Sequence, residues 1–487
     1  MQREALDVAA QFSEQEERAS SAAPAESLDA LAALLTEGDP TLHRGRVEFG
    51  QQRLVGLDLV FVRLGLRKSA AASEVAQDAS RLTCLTRSTG EPTLVLMSSF
   101  RPNAPPARIL LGPGPSECAP EVLAALARPT LGHLDPLFLA LMDEVRAGLR
   151  AAYRTENELA FPISGTGTAG MEAVLVNLLE RDDAVLVGVA GYFGARLAEI
   201  ARRVGARVTE VRGEWGRALS PDDVRRAAGK EHFKVLALVH GETSTGVVAD
   251  LAAMRAVADE LGALLVADCV TTLGGMPLEI DAWGVDGAYS GTQKCLAAPA
   301  GLSPVTLSAR ALARVAARKT PITSWYFDLA LVKSYWSQDR AYHHTAPIQN
   351  VYALHEALRL LFDEGLEARW QRHARHARAL WAGLTEMGLA LLVPEAERLV
   401  PLSAVCVPTG IDEARVRRFL LEHYSLEIGG GLGELKGRIW RIGLMGAGSK
   451  RANVELVLAA LRAALAEQGW TAAADPLPAV HAAYANA

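Results

Sequence analysis

The chain has 487 residues, half of them hydrophobic and 22% charged, with a formal net charge of −6. That length calls for two or three domains, the composition is that of a soluble globular protein, and the slightly acidic balance gives no reason to expect nucleic acid or an anionic membrane as partner. No apolar run reaches transmembrane length, the N-terminus lacks the charged-then-apolar order of a signal peptide, and the five cysteines (Cys84, Cys118, Cys269, Cys295, Cys406) form no CxxC pair. The expectation is a cytoplasmic protein with no disulfide framework and no metal site.

Residues 1–105 read as an extension distinct from the rest, a small α+β appendage. Residues 13–27 are polar and rich in Ala, Ser and Glu, which suits a flexible tract. Ser27 is placed to cap a helix over Leu28–Thr36. Strand-like runs follow at Leu54–Leu64 and Pro92–Met97, and Arg101–Ala107 is a Pro-rich linker.

From 106 to 365 apolar β-type runs alternate with helical patterns. The runs are Leu159–Ile163, Ala184–Val189, Arg207–Val211, Val235–Val239, Ala263–Val266, Gly287–Tyr289 and Pro304–Leu307. Helical patterns such as Thr166–Leu179, Gly194–Val204 and Leu251–Leu261 lie between them. This rhythm predicts an α/β, doubly wound, mostly parallel sheet covered on both faces, with chemistry at the C-terminal strand ends. Residues 366–470 predict a smaller α/β domain: a helix over Leu366–Met387, strands at Leu389–Val393 and Ser403–Val407, a helix over Asp412–Tyr424, strands at Leu426–Ile428 and Arg438–Leu444, and a last helix over Ala452–Glu467. Residues 471–487 are Ala- and Pro-rich and read as a loose tail.

Lys294 is the most informative residue. The chain holds only eight lysines against forty-two arginines, and this one sits in Tyr289–Gly301, a stretch of small and apolar residues with no other charge. A partly desolvated lysine has a lowered pKa and forms a Schiff base with an aldehyde. Asp268 ends the apolar run Ala263-Leu-Leu-Val-Ala-Asp268. A lysine to anchor an aldehyde and an acid to pair with a ring nitrogen are what pyridoxal phosphate requires. Ser164-Gly-Thr-Gly-Thr-Ala-Gly-Met-Glu172 follows a strand and opens a helix, as an anion-binding turn does. It is neither a Walker loop nor a full GxGxxG. Phe193, in Tyr192-Phe193-Gly194, is an aromatic able to stack on a planar ring. Tyr342-His-His-Thr345 offers hydroxyls, and Arg441 places a guanidinium inside an apolar strand, suited to a carboxylate. Each feature has a plain structural reading as well: a tight turn, a helix cap, core packing, a polar loop, a salt bridge. Cys269 and Cys295 read as small wall residues rather than nucleophiles.

The stretch 108–470 resembles the class V aminotransferases, close to the alanine–glyoxylate and serine–pyruvate aminotransferase family. The resemblance rests on Leu111-Gly-Pro-Gly-Pro-Ser116, the Ser164 turn, His240-Gly-Glu-Thr-Ser-Thr-Gly246, the Asp268 strand, Ser290-Gly-Thr-Gln-Lys294, Tyr342-His-His-Thr345 and Arg441-Ile-Gly-Leu444. It implies the type I pyridoxal-phosphate fold and transamination between a small amino acid (alanine or serine) and glyoxylate or pyruvate. By the same resemblance Lys294 and Asp268 are catalytic. Ser164, Gly165, Thr166, Gly167, Thr168, Phe193, Thr243, Val270 and Gln293 line the cofactor site, with Gly167, Thr168 and Gln293 at the phosphate. Arg441 grips the substrate carboxylate. Tyr342 and Thr345 complete the neighbouring site of a homodimer. Thr168 stands where some relatives have histidine and Phe193 where many have tryptophan, and plain members lack the 105-residue segment in front. A specialised reaction on the same scaffold, a lyase or a transaminase of a larger metabolite, therefore stays open.

Overall fold

The computed structural model describes residues 105–486 and, before them, the backbone of four strands. The chain divides into two compact units, Met1–Pro106 and Ala107–Ala487. In the first, β1 (Val47–Leu54), β2 (Leu57–Leu64), β3 (Leu82–Thr86) and β4 (Pro92–Leu96) form one antiparallel sheet in sequence order. The single strand expected over Leu54–Leu64 is thus split: β1 ends at Leu54, which pairs with Leu57 as β2 begins. The tract 13–27 and the helix expected over Leu28–Thr36 lie outside the described residues, as does most of the linker.

The second unit opens with β5 (Ile109–Leu110) and then builds a seven-stranded sheet. Its strands are β6 (Leu159–Ser164), β7 (Ala184–Val189), β8 (Arg207–Arg212), β9 (Val235–Val239), β12 (Leu264–Asp268), β13 (Gly287–Tyr289) and β14 (Leu302–Leu307). The short hairpin β10 (Gly241–Glu242) and β11 (Val247–Val248) lies between β9 and β12. The order across the sheet is β6-β14-β13-β12-β9-β7-β8. All neighbours run parallel except β14, which is antiparallel to both β13 and β6. Strands β7, β12 and β14 are buried at every residue, which fits their continuous apolar runs and needs helices on both faces. Two of those helices are α1 (Gly167–Leu178) and α2 (Tyr192–Val204).

A second core belongs to the C-terminal part. Strands β15 (Leu402–Cys406), β18 (Ile439–Gly443) and β17 (Gly429–Gly430) form an antiparallel sheet, and β16 (Leu426–Glu427) pairs in parallel with β5. Leu111 shares this core with Leu380, Val405, Trp440 and Leu461. Residues 109–111 therefore pack with the smaller domain, not with the 106–365 domain to which the sequence reading assigned them. A two-residue strand carries no period by which sequence could place it. The strand expected over Leu389–Val393 is reduced to an isolated bridge between Leu391 and Val405.

The loose tail expected over 471–487 is corrected as well. Pro476–Ala485 is a helix, α4, which packs on α3 (Leu366–Glu386). Asp475 caps it by accepting the Leu477 N–H, Pro476 takes the first turn, and Val480 and Tyr484 bury one face. The Tyr484 hydroxyl lies 2.8 Å from His376 Nδ1. Ala-rich composition suits a helix, and full burial of a side chain such as Val480 contributes roughly 1.5–3 kcal/mol. Among the described residues no helix is long and apolar enough to cross a membrane, and no cluster of His, Cys, Asp and Glu could hold a metal ion.

Candidate active site

The register of the large sheet brings the chemistry together. Asp268 pairs across the ladder with Val239 on one side and Tyr289 on the other, so β9, β12 and β13 end level. Past these ends lies a cavity of about 230 Å³. Its wall includes Thr166, Gly167, Thr168, Phe193, Thr243, Asp268, Val270, Gln293 and Lys294, nine of the residues singled out in sequence.

Asp268 is fully enclosed. Its Oδ1 accepts the Val270 N–H at 2.9 Å and its Oδ2 accepts the Tyr289 hydroxyl at 3.0 Å. Burial raises its pKa to about 7 against the pull of those two donors. Lys294 is only 9% exposed. Burial, helped by the nearby Arg441 charge, lowers its pKa to about 8. Its ammonium donates to the Pro113 carbonyl, and the Ser116 hydroxyl donates to the Lys294 carbonyl at 2.7 Å. The segment 111–116 thus straps the lysine from outside the sheet. Gly114 is required there: its φ is +113°, and a Cβ would collide with the lysine side chain.

Thr166 opens α1 without using its own side chain as cap. A Cβ on Gly167 would stand 2.9 Å from Val270 Cγ2, so glycine lets the helix start meet the wall below Asp268. Phe193 is fixed from behind: buried Glu242 accepts the N–H groups of Phe193 and Gly194 at 3.1 and 3.0 Å, and Ser244 Oγ accepts that of Tyr192. Burial raises the Glu242 pKa, while the helix-start donors lower it. Cys269 and Cys295 are buried and their thiols are pushed up by burial, Cys295 to about 12; neither lines the cavity, so they are core residues and not the wall residues expected.

Arg441 stands on β18. It donates through Nε to the Gly430 carbonyl at 2.7 Å and through Nη1 to the Thr243 carbonyl at 3.1 Å. Among the described residues it has no carboxylate within ion-pair distance, and burial lowers its pKa to about 10. A buried guanidinium held only by carbonyls has donors suited to an incoming carboxylate. The salt bridge considered as its plain reading is absent among those residues.

Arg441 reaches this wall only through the Thr243 carbonyl, and four other expected residues stand apart from it. Ser164 Oγ lies 2.6 Å from His344 Nε2, and Gly165 donates its N–H to the Gly301 carbonyl. Tyr342 is 60% exposed, and Thr345 is exposed too; neither lines this chain's cavity. Sequence reading missed Arg196, which lines the cavity, and the supports Glu242 and Tyr289. Tyr289 had a signal, since it ends an apolar strand as Asp268 does. Arg196 lies one helical turn past Phe193, where only a known helix phase would find it.

The donor set fits pyridoxal 5'-phosphate on these observations alone. A desolvated lysine and a buried acid share one cavity. Gln293 lines the same cavity, and its buried Oε1 has no hydrogen-bond partner among the described residues, so a polar group is missing there. The glycine at the start of α1 leaves the helix N-terminus open to an anion.

Comparison with known proteins agrees. The family described as Aminotransferase class-V matches residues 120–433. The (S)-ureidoglycine–glyoxylate transaminase of Bacillus subtilis (strain 168) is 40% identical over 387 residues, 76% of this chain and 93% of that protein. The alanine–glyoxylate aminotransferase of Drosophila melanogaster is 40% identical, covering 77% and 95%. Among solved structures, the alanine–glyoxylate aminotransferase of Nostoc sp. is 48% identical with a TM-score of 0.74, covering 75% of this chain and 97% of that one.

Proposed function

The chain belongs to the aminotransferase class-V family, and we propose that it is a pyridoxal 5'-phosphate-dependent transaminase passing the amino group of alanine or serine to glyoxylate or pyruvate. The observation that carries this reading is the convergence of two buried charged side chains, Lys294 and Asp268, on one cavity; burial shifts the lysine down and the acid up. The names of the relatives support the acceptor: both curated relatives described above act with glyoxylate.

When bound, pyridoxal 5'-phosphate supplies an aldehyde to take the amino group and a pyridine ring to accept electrons. Lys294 is the residue that would hold it. The Lys294 amine, whose lowered pKa keeps much of it neutral near pH 8, would take and return the substrate's α-proton. Asp268 would pair with the ring nitrogen, which favours its carboxylate form, and the Val270 N–H and the Tyr289 hydroxyl hold that carboxylate in place. Phe193 and Val270 would pack against the ring, Gly167, Thr168 and Gln293, with Thr166 beside them, would hold the phosphate, and Thr243 would bond the ring hydroxyl. Arg441 fixes the substrate carboxylate, which orients the α-carbon toward Lys294. Tyr342 and Thr345 serve the neighbouring subunit's site, so the active species is a homodimer.

A second reading is favoured by one finding. A relative as similar as the alanine enzymes is named for ureidoglycine, a larger and more polar donor. The deciding experiment adds single amino acids to the coloured holoprotein. Bleaching by alanine or serine and recovery with glyoxylate or pyruvate supports the small-donor reading. Bleaching by a ureido amino acid alone supports the second. A protein that takes up no pyridoxal 5'-phosphate overturns both.

A further inference from the structure

Arg196 has no role in the reading above, yet it lines the cavity. It stands on α2, and its Nη1 donates to Thr168 Oγ1 at 3.0 Å. Its guanidinium carbon lies 4.9 Å from the Phe193 ring centroid and 5.3 Å from that of Tyr192, residues three and four positions earlier on the same helix. Most arginines among the described residues meet a carboxylate. Arg196 has none within ion-pair distance among the described residues. It is therefore an uncompensated cation held at one end of the cavity by an aromatic face and a threonine hydroxyl.

Charge accounting gives it a task. A phosphate ester entering this cavity carries close to two negative charges, and enclosing them without a counter-charge is expensive. The other residues proposed for the phosphate end, Thr166, Gly167, Thr168 and Gln293, are all neutral. Of the cations at the cavity, Lys294 is committed to the aldehyde and Arg441 to the substrate carboxylate. Arg196 remains, and its hydrogen-bond partner Thr168 is itself a phosphate-end residue. We infer that Arg196 is the cationic member of the phosphate cradle, positioned through Thr168 and Phe193 to meet the cofactor's phosphate. The planar fork supplies paired donors, and the stack on Phe193 limits the conformational freedom lost when the anion arrives. This rests on the reading that the cavity takes pyridoxal 5'-phosphate.

The test compares two probes on the apoprotein, pyridoxal 5'-phosphate and pyridoxal, which differ only in the phosphate. In the wild type the phosphate ester binds much the tighter. Arg196→Gln should weaken pyridoxal 5'-phosphate by about 10-fold to 100-fold, the usual cost of losing a charge-assisted hydrogen bond, and leave pyridoxal unchanged. Arg196→Lys should recover part of the loss. A glutamine variant that binds the ester like the wild type, or loses both probes in parallel, overturns the inference. A wild type that binds the two probes equally defeats the underlying cofactor reading instead. Should Arg196→Gln not fold, chemical modification of wild-type Arg196 by a dicarbonyl reagent, located by mass spectrometry, decides. Pyridoxal 5'-phosphate should protect Arg196 and pyridoxal should not; equal protection by both removes the phosphate from its role.

Discussion

The wall of the cavity and an exposed aromatic rim that stands apart from it are built on opposite principles. On the wall, Asp268, Lys294 and Thr243 are buried, and each is tied to backbone or side chain of the same chain. At the rim, Tyr342 and the exposed Trp325 and Tyr326 offer aromatic surface to solvent. The wall can be complete in one chain because its task is electrostatic. Burial is the largest cause that moves the lysine and the acid toward neutrality. The rim has hydroxyls to offer and, in this chain, no ligand to offer them to. The buried lysine and acid are thus a property of the fold of one chain, whereas the proposed role of Tyr342 needs a second one.

Three substitutions at or beside the wall sharpen this contrast. Lys294→Ala has the largest expected effect: turnover falls by at least about 10⁴-fold, since the anchor and the proton carrier disappear together. Steady-state rates with alanine and glyoxylate measure it, and activity above a hundredth of wild type would remove Lys294 from the reaction. Asp268→Asn should lower kcat by about 10²-fold to 10³-fold, the scale of losing one preorganised electrostatic partner, with cofactor still attached. Turnover at the wild-type rate would mean that another group faces the ring nitrogen. Arg441→Lys keeps the charge but loses the fork, and should cost about 10-fold to 100-fold in kcat/KM, mainly through KM for the donor. An unchanged KM would place the substrate carboxylate elsewhere.

The lowered lysine pKa adds a pH test. Capture of an aldehyde needs the neutral amine, whose fraction rises with pH. Uptake of pyridoxal 5'-phosphate by the apoprotein should therefore climb and level off near pH 8, where an ordinary lysine would keep rising toward 10.5. A profile still rising at pH 10 would show Lys294 to be solvated.

What sequence conveyed follows the same division. The wall was legible because apolar strands have one register, and their last residues necessarily meet at one edge: Asp268 and the Ser164 turn were placed by that rule alone. Lys294 stood out because enclosure demands small apolar neighbours. Features without a local period were not legible. The β5 segment joins the smaller domain by pairing with β16, more than 300 residues later in the chain. The terminal helix hid behind an Ala-rich composition that serves helix and loose chain alike, and its burial depends on α3. Arg196 needed the phase of α2, and Glu242 needed the knowledge that the chain past β9 returns to the start of that helix. Spacing cannot report such meetings.

The rim carries the smallest predicted effect and the most discriminating one. Tyr342→Ala should weaken pyridoxal 5'-phosphate binding by about 2-fold to 10-fold, the value of one neutral hydrogen bond. That loss alone does not say which site Tyr342 serves, but mixing does. In a hybrid dimer of a Lys294→Ala subunit and a Tyr342→Ala subunit, the second subunit's lysine would be served by the first subunit's intact tyrosine. At limiting cofactor, random reassociation of equal amounts should then restore about a quarter of wild-type activity, half the dimers being hybrid with one intact site each. If Tyr342 served its own chain, neither site of the hybrid would be whole, and mixing would return no more than the Tyr342→Ala protein shows by itself. Recovery would assign the rim to the partner and leave the wall wholly to one chain.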